Sequence, residues 1–477
     1  MIKVLLIVGH PRNNNACRIA AELMRLASPT EFSFTVGFFG QQSDTLIPSW
    51  EKSAAEEYWF PTPGANSLPY LRALNRLIRE RRFSVIHLLA SEGRGLSLLA
   101  AARLGVPIRI AHALPGEPAA KPQELQRRSG NALLFRWATH LISADLEGGA
   151  RAFGRSAFSC RGLVLTFSPD SDLSAVLQPS EPCPREHGIC RIYRDLASVS
   201  LSFDDGRGDN TEVADRLLLP MGIPATLNIS TGYVDGTCPD RYLPTRKQAM
   251  TIRDIQRLAK DPFIEIAMHG DCHLNTDEDI FRGREKLLDW LKLEGDARLG
   301  FASPSSGLSP ERFRSPQEAK LRNSIQYFRT SLRISSRPLL RVLCRKAARV
   351  LHLPFLFRIA YHDTVMCGAE GQIIYSVPVM KGTTTGELMA LVHSAVKRRG
   401  AVVFLLHSIR EHTTGEDNWS WKRRKLVCLC NRLSALEQQG MLCMCTTARL
   451  YNQLQAKDQI YSVSPSGYKK SNGVKSR

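Results

Sequence analysis

The sequence has no run of about 20 apolar residues, so nothing in it reads as a membrane-spanning helix. Its opening stretch, Met1-Ile2-Lys3-Val4-Leu5-Leu6-Ile7-Val8-Gly9, is too short for the core of a secretion signal, and no small-residue cleavage site closes it. It reads instead as a buried first strand. Without an export signal, the twelve cysteines are expected as reduced thiols rather than a disulfide framework. Two C-x-C pairs, Cys428/Cys430 and Cys443/Cys445, lie in apolar surroundings and read as core rather than metal ligands. Zinc-finger spacing, a recognition-helix signature and an aromatic–basic RNA motif are all missing, which ranks nucleic acid last among partners. The glycine fingerprint of dinucleotide sites is missing too, so Gly9-His10-Pro11-Arg12-Asn13-Asn14-Asn15 reads as a plain strand-to-helix connection. Acidic residues are scarce. Against 64 Lys and Arg stand 45 Asp and Glu, a net charge of +19 that favours a phospholipid surface or phosphate-bearing substrates.

What is present is ordinary for a soluble globular chain, with 43% hydrophobic and 23% charged residues. A length of 477 residues is enough for two to four domains. Over residues 1–170, strand and helix patterns alternate. Strands are expected at Ile2–Val8, Phe32–Phe39, Phe83–Leu89, Ile108–Ala111 and His140–Ser143, and helices around Cys17–Leu26, Leu68–Arg81, Gly95–Leu104 and Asp145–Phe153. That order implies a Rossmann-like parallel sheet wrapped by helices, in the α/β class. A Ser/Pro-rich stretch, Ser168 to Pro184, marks a linker over 171–195, and the Ser-, Lys- and Gly-rich end, 456–477, is expected to be disordered.

Chemistry concentrates in the second half. Val199, Leu201 and Phe203 alternate as in a strand with one buried face, which ends in Asp204-Asp205-Gly206. A second strand pattern, Phe263–Met268, ends in His269-Gly270-Asp271-Cys272-His273. A third, Arg298–Phe301, ends in Ala302-Ser303-Pro304, and a fourth, Ala401–Leu406, ends in His407. Polar residues at the carboxyl ends of several strands are what a barrel-type α/β enzyme uses. Two histidines four apart, read as one turn of helix, and a carboxylate from a separate strand can share one cation with positions left open. Such a cation activates water, a second carboxylate can accept a proton, and a histidine across the site can donate one, so hydrolysis is the expected chemistry.

Residues 196–455 resemble the polysaccharide deacetylases, the NodB-homology family of carbohydrate esterases. The first motif of that family, (T/S)-F-D-D-G, stands as Ser202 to Gly206, and its second, H-(S/T)-x-x-H, as His269 to His273 with Gly270 in the hydroxyl position. Gly222 to Asn228 resembles the second strand of the family. The resemblance implies a distorted (β/α) barrel, with Asp204 as base, Asp205, His269 and His273 as metal ligands and His407 as acid. The implied cofactor is a divalent metal, for which zinc suits Asp/His₂ ligation. The family's third motif carries an Arg that Ala302-Ser303-Pro304 lacks, and Arg329 in Tyr327-Phe328-Arg329-Thr330 is the candidate substitute.

The first 170 residues resemble the acceptor-side half of two-domain (GT-B) glycosyltransferases. This likeness rests on Phe83–Leu89 with Ser91-Glu92-Gly93-Arg94-Gly95, on Val106 to His112, and on Ala138 to Ala144. The donor half has no counterpart, so this domain is expected to recognise an acceptor or to act as a scaffold. An insertion is expected over 310–371. Within it Arg337, Arg341, Arg345, Lys346 and Arg349 share a helical stretch with Leu339, Leu340, Val342, Leu343, Val350 and Leu351, a pattern open to a solvated face or to an anionic membrane. Together these features imply a metal-dependent deacetylase removing an N- or O-linked acetyl group from a saccharide, which could be lipid-linked, in surface-glycan assembly. Its expected place is cytoplasmic, peripheral to the inner membrane. The alternatives are a glycosyltransferase-derived protein and a degenerate glycan-binding protein without that activity.

Overall fold

The structure is a computed structural model, and it describes residues 1–477 other than 12–13, 42–54, 65, 115–136, 144–148, 150–151, 154–161, 165–191, 194, 246, 332–337, 412–417 and 463–477. The chain forms two compact units. One comprises Met1–Leu196 with Gln439–Met441 and Gln459–Arg477, the other Ala197–Gln438 with Leu442–Asp458.

The first unit is built on seven parallel strands: β1 (Ile2–Gly9), β2 (Phe32–Phe39), β3 (Glu56–Phe60), β4 (Val85–Leu88), β5 (Ile108–Ala113), β6 (His140–Ser143) and β7 (Gly162–Val164). Their order, β3-β2-β1-β4-β5-β6-β7, reverses direction between β1 and β4 as in doubly wound folds. Between the strands run α1 (Asn14–Leu26), α2 (Leu68–Arg81) and α3 (Arg94–Arg103). Alternation along β1 supplies two cores, with Val4, Leu6 and Val8 in one and Leu5 and Ile7 in the other. The Rossmann-like expectation therefore holds for this unit. Strands β3 and β7 were not expected. The first carries Glu56 and Glu57 at the sheet edge and the second is three residues long, so neither shows a clear period. The helix expected around Asp145–Phe153 lies largely outside the described residues.

Burial also moves the boundary of this unit. Ile192 and Tyr193, in the stretch expected to be linker, are fully enclosed in its core. The Tyr193 hydroxyl lies 2.7 Å from His87 Nδ1, and His87 Nε2 lies 3.2 Å from His112 Nδ1. Burial drives both imidazoles down, His112 to about 3, so the two rings join the strands as neutral hydrogen-bonding groups.

The second unit is a closed parallel barrel. Its strands are β8 (Ala197–Phe203), β9 (Ala225–Ile229), β10 (Ile264–Met268), β11 (Leu299–Ala302), β12 (Ile325–Thr330), β13 (Ile373–Pro378) and β14 (Ala401–Leu406). They are hydrogen-bonded in sequence order, and β14 closes the ring on β8 from Ala401↔Ser198 to Leu406↔Phe203. Two short strands, β15 (Ile409–Arg410) and β16 (Trp421–Lys422), pair with each other, and β17 (Leu442–Met444) extends the amino end of β8. Four helices matter below: α4 (Asp277–Leu291), α5 (Pro338–Val350), α6 (Pro354–Ala360) and α7 (Thr385–Arg398).

Three details of this unit differ from expectation. Strand β8 is buried on both faces, because closure places Ser198, Ser200 and Ser202 inside the ring while Val199, Leu201 and Phe203 join the surrounding apolar core. The expected insertion over 310–371 contains a barrel strand, β12, so the extra segment starts only after Thr330. Its Gln326 and Arg329 broke the apolar pattern that would have marked it. At the far end the helix Thr447–Ser462 continues through the first residues of the expected disordered tail, and the remainder, 463–477, lies outside the described residues. No disulfide occurs among the described cysteines, all nine of which are free.

Candidate functional site

The carboxyl ends of β8, β10, β12 and β14 bring together all five residues singled out from the sequence, and Arg329 with them. Asp204 and Asp205 follow β8. Closing the turn takes two consecutive left-handed residues, Asp205 at φ 80° and Gly206 at φ 74°, a demand that glycine meets and aspartate tolerates. The turn splits the two carboxylates between different partners.

Asp204 faces Arg329. One guanidinium nitrogen, Nη2, donates to both carboxylate oxygens at 2.6 and 2.7 Å, while Asn228 Nδ2 donates to Oδ1 at 2.9 Å. Both side chains of the ion pair are almost wholly buried. Burial pushes the Asp204 carboxyl up, but Arg329, His269 and His407 outweigh it and leave the group below its ordinary range. Arg329, which the sequence offered only as a candidate, is thus brought to the site by β12 and pairs with Asp204.

Asp205 faces the two histidines. Its Oδ2 accepts from Arg207 Nε at 2.7 Å, and Arg207 in turn donates to Ser408 Oγ at 2.9 Å. The other oxygen, Oδ1, lies 3.4 Å from His269 Nε2 and 3.4 Å from His273 Nε2. Burial raises Asp205, but the two imidazoles, His407 and Arg207 together hold it well below the usual carboxylate range. Asp205 Oδ1 and His269 Nε2 are buried without a hydrogen-bond partner, an arrangement that costs about 1–3 kcal/mol per group and that a ligand bound between them would relieve. His269 Nδ1 donates to the Ala302 carbonyl at 2.8 Å, which fixes the tautomer and turns the Nε2 lone pair toward Asp205. One carboxylate oxygen and two imidazole nitrogens within 4.8 Å of one another form a donor set that fits a divalent cation.

The histidine pair does not stand on a helix, contrary to the sequence reading. Residues 269–276 form a loop in which Gly270 (φ 76°) and His273 (φ 60°) are left-handed. Asp279 of α4 gathers the loop: Oδ2 accepts from Asp271 N at 3.1 Å and Leu274 N at 2.9 Å, and Oδ1 from Cys272 N at 2.6 Å. A Cβ at position 270 would collide with Asp279 Oδ2, and the backbone there is left-handed, so the position calls for glycine. Asp271, Cys272 and Asp279 are also close enough to share an ion. Their carboxylates are committed elsewhere, Asp279 to the loop and Asp271 Oδ1 to Thr231 at 2.7 Å and Lys286 at 2.8 Å.

Helix α4 reaches this loop through Gly283, whose added Cβ would lie 2.7–2.9 Å from the Gly270 carbonyl group and Asp271 N. An Ala for Gly exchange inside a helix ordinarily stabilises by about 1 kcal/mol. Here the sign is expected to reverse. Gly283→Ala should lower stability by about 1–3 kcal/mol through overpacking and weaken cation binding by shifting His269 and His273. Urea unfolding and a cation titration on the same sample check both effects; a stabilised variant with unchanged affinity would show that the contact is slack.

His407 closes the site on β14, next to β8. Its Nδ1 is buried without a hydrogen-bond partner, and burial lowers the ring to about 4 against the upward pull of Asp205 and Asp204. Trp419, 41% exposed, stands with its ring centroid 4.7 Å from that of His407. Sequence reasoning missed Arg207, Asn228 and Trp419. The first two carried a signal, Arg207 two residues beyond Asp205 and Asn228 near the end of an expected strand. Trp419 is brought in by a loop and had none.

No family model and no curated protein matches the chain. Several solved structures are similar to it. Anabaena HepE in complex with UDP is 14% identical, with 97% of each chain covered and a TM-score of 0.26. MurG of Acinetobacter baumannii is 12% identical, covering 97% of this chain and 98% of that one, at 0.25. A putative UDP-N-acetylglucosamine 2-epimerase from Listeria monocytogenes is 13% identical, covering 99% and 97%, at 0.28. These findings correct the expectation of a zinc-dependent polysaccharide deacetylase. No family model recognises the barrel as NodB-type, and the similar structures are a UDP complex, MurG and a UDP-sugar epimerase rather than acetyl-removing hydrolases. Similarity of this size assigns no residue a role.

Proposed function

We propose that the barrel is a metal-dependent saccharide site, with a divalent cation held by Asp205, His269 and His273 and a sugar bound beside it against Trp419. Acetyl removal forms no part of this reading. The observation that carries it is the pair of buried atoms without hydrogen-bond partners, Asp205 Oδ1 and His269 Nε2, facing each other at 3.4 Å. A cation bound there supplies Lewis acidity to a ligand oxygen.

The chain's own residues account for the rest. Arg207 occupies Oδ2 of Asp205 and so leaves Oδ1 for the cation. Asp204, kept ionised by Arg329, is an acceptor for sugar hydroxyls. His407 meets a ligand at neutral pH as an uncharged imidazole. Trp419 offers an apolar face of the kind that packs against the C–H side of a sugar ring. The closeness of Asp204 and His407 on neighbouring strands favours a second reading, a sugar-modifying enzyme in which these two groups move protons on the bound ligand.

A saccharide panel titrated against the full chain, cation-loaded and stripped with a chelator, tests the proposal. Binding should require the cation, and Trp419→Ala should weaken it roughly tenfold, the loss of one aromatic contact. Saccharide binding that survives stripping, or that ignores Trp419, would remove the site from this role.

A further inference from the structure

The segment that leaves β12 just after Arg329 and Thr330 carries the largest concentration of exposed apolar side chains among the described residues. On α5, α6 and the turn between them, Leu339 is 79% exposed, Leu343 63%, Val350 76%, Leu351 60% and Phe355 51%. The opposite side of the hairpin is anchored. Ala348, Phe357 and Ala360 are buried in the barrel core, and Cys344 and Leu356 pack against it. The chain reverses at His352, in the left-handed conformation at φ 52°, with Leu353 N bonded to the Ala348 carbonyl at 3.1 Å. An ordinary surface helix turns its apolar side inward. This hairpin spends a few residues on docking and turns most of its apolar surface outward, as interaction sites do.

Charge identifies the occupant. From Ser331 to His362 the sequence holds seven Arg and Lys and no Asp or Glu. Among them Lys346 and Arg358 are exposed and Arg345 is half-buried, interleaved with the outward Leu and Phe side chains. A second copy on this face would set Arg345, Lys346 and Arg358 against the same three charges. An acidic protein would match the charge but would need its own apolar face. A bilayer with anionic headgroups satisfies both requirements at once, taking the apolar side chains below the headgroups and the basic ones among them. We propose that the α5–α6 hairpin is the surface by which this protein lies on an anionic membrane. The role is peripheral, since no helix among the described residues is long and apolar enough to cross.

Co-sedimentation of the full chain with vesicles tests this. Binding is expected with phosphatidylcholine:phosphatidylglycerol at about 7:3 (a composition set by the need for a negative surface), to fall steeply with added salt, and to be weak with pure phosphatidylcholine. Arg345→Gln/Lys346→Gln/Arg358→Gln should lower partition by about 100-fold, roughly fivefold per charge. Leu343→Ser/Val350→Ser should lower it by about tenfold on the same vesicles. Of these side chains all but the half-buried Arg345 are exposed, so circular dichroism should not change and the melting temperature should change little. The proposal fails if the parent does not sediment with anionic vesicles or binds both vesicle types equally at every salt concentration. It also fails if light scattering finds a dimer that Leu343→Ser/Val350→Ser dissolves, for then a second copy covers this face.

Discussion

Replacing Arg329 by methionine should destabilise the barrel by about 3–5 kcal/mol, the cost of removing one partner from a buried charge pair. Asp204 would keep its place inside the ring of strands with only Asn228 as a close donor, and its carboxyl would rise for want of the opposing charge. The pH dependence follows from the direction of the shift. Asp204 is lowered in the folded protein, so its contribution is present above the ordinary carboxylate value of 3.8 and is lost as pH falls through the folded value. The gap between parent and Arg329→Met should therefore be widest near neutrality and shrink in acid. Asp204→Asn/Arg329→Met, which buries no lone charge, should recover a large part of the loss. Urea unfolding at several pH values decides the matter: a cost under about 1 kcal/mol, or one indifferent to pH, would mean the pair is not coupled as its 2.6 Å contact implies.

The second large effect separates the adjacent aspartates. Asp205→Ala removes the only carboxylate of the donor set and should weaken cation binding by more than about 100-fold, since loss of an outer partner alone costs 10–100-fold. Asp204→Asn keeps the shape and the contact with Asn228 and, although position 204 lies 3.8 Å from His269 Nε2, removes no atom of the donor set, so it should lower that affinity far less than Asp205→Ala. Affinity should also fall as pH is lowered. Burial depresses His269, but Asp204 and Asp205 outweigh it and raise the imidazole above its ordinary value, so protons compete with the cation for Nε2. Calorimetric titration of both variants checks this, and equal losses in the two would put the cation between the aspartates rather than on Asp205.

How far the sequence disclosed these features can be judged residue by residue. The alternating run before Asp204, the strand pattern Phe263–Met268 before His269 and the apolar run Ala401–Leu406 before His407 marked three strands correctly, and in the first of them the apolar period survives barrel closure on the outward face. That same period concealed the polar interior, where Ser200, Ser202, Thr226 and Asn228 are buried against one another and the strand ends. The five site residues were legible from their positions after strands. The loop shape at His269–His273 was not, because it depends on Asp279 and on Gly283 pressing from α4, contacts that no local pattern encodes. Arg329 could be named only as a candidate, since its strand looked like part of an insertion. For α5 the sequence left two readings open, a packed helix with a solvated face and a helix on an anionic membrane. Its apolar period is the same whether that side is turned to the core or outward, and exposure places much of it outward.

The central claim is the cation on Asp205, His269 and His273, and elemental analysis of the full chain tests it most directly. After equilibration with a mixture of divalent transition metals and removal of the free ions, the parent should retain about one equivalent, the number one such three-donor set holds. Asp205→Ala/His269→Ala should retain none. A parent that holds no metal, or a double variant that keeps as much as the parent, would contradict the account.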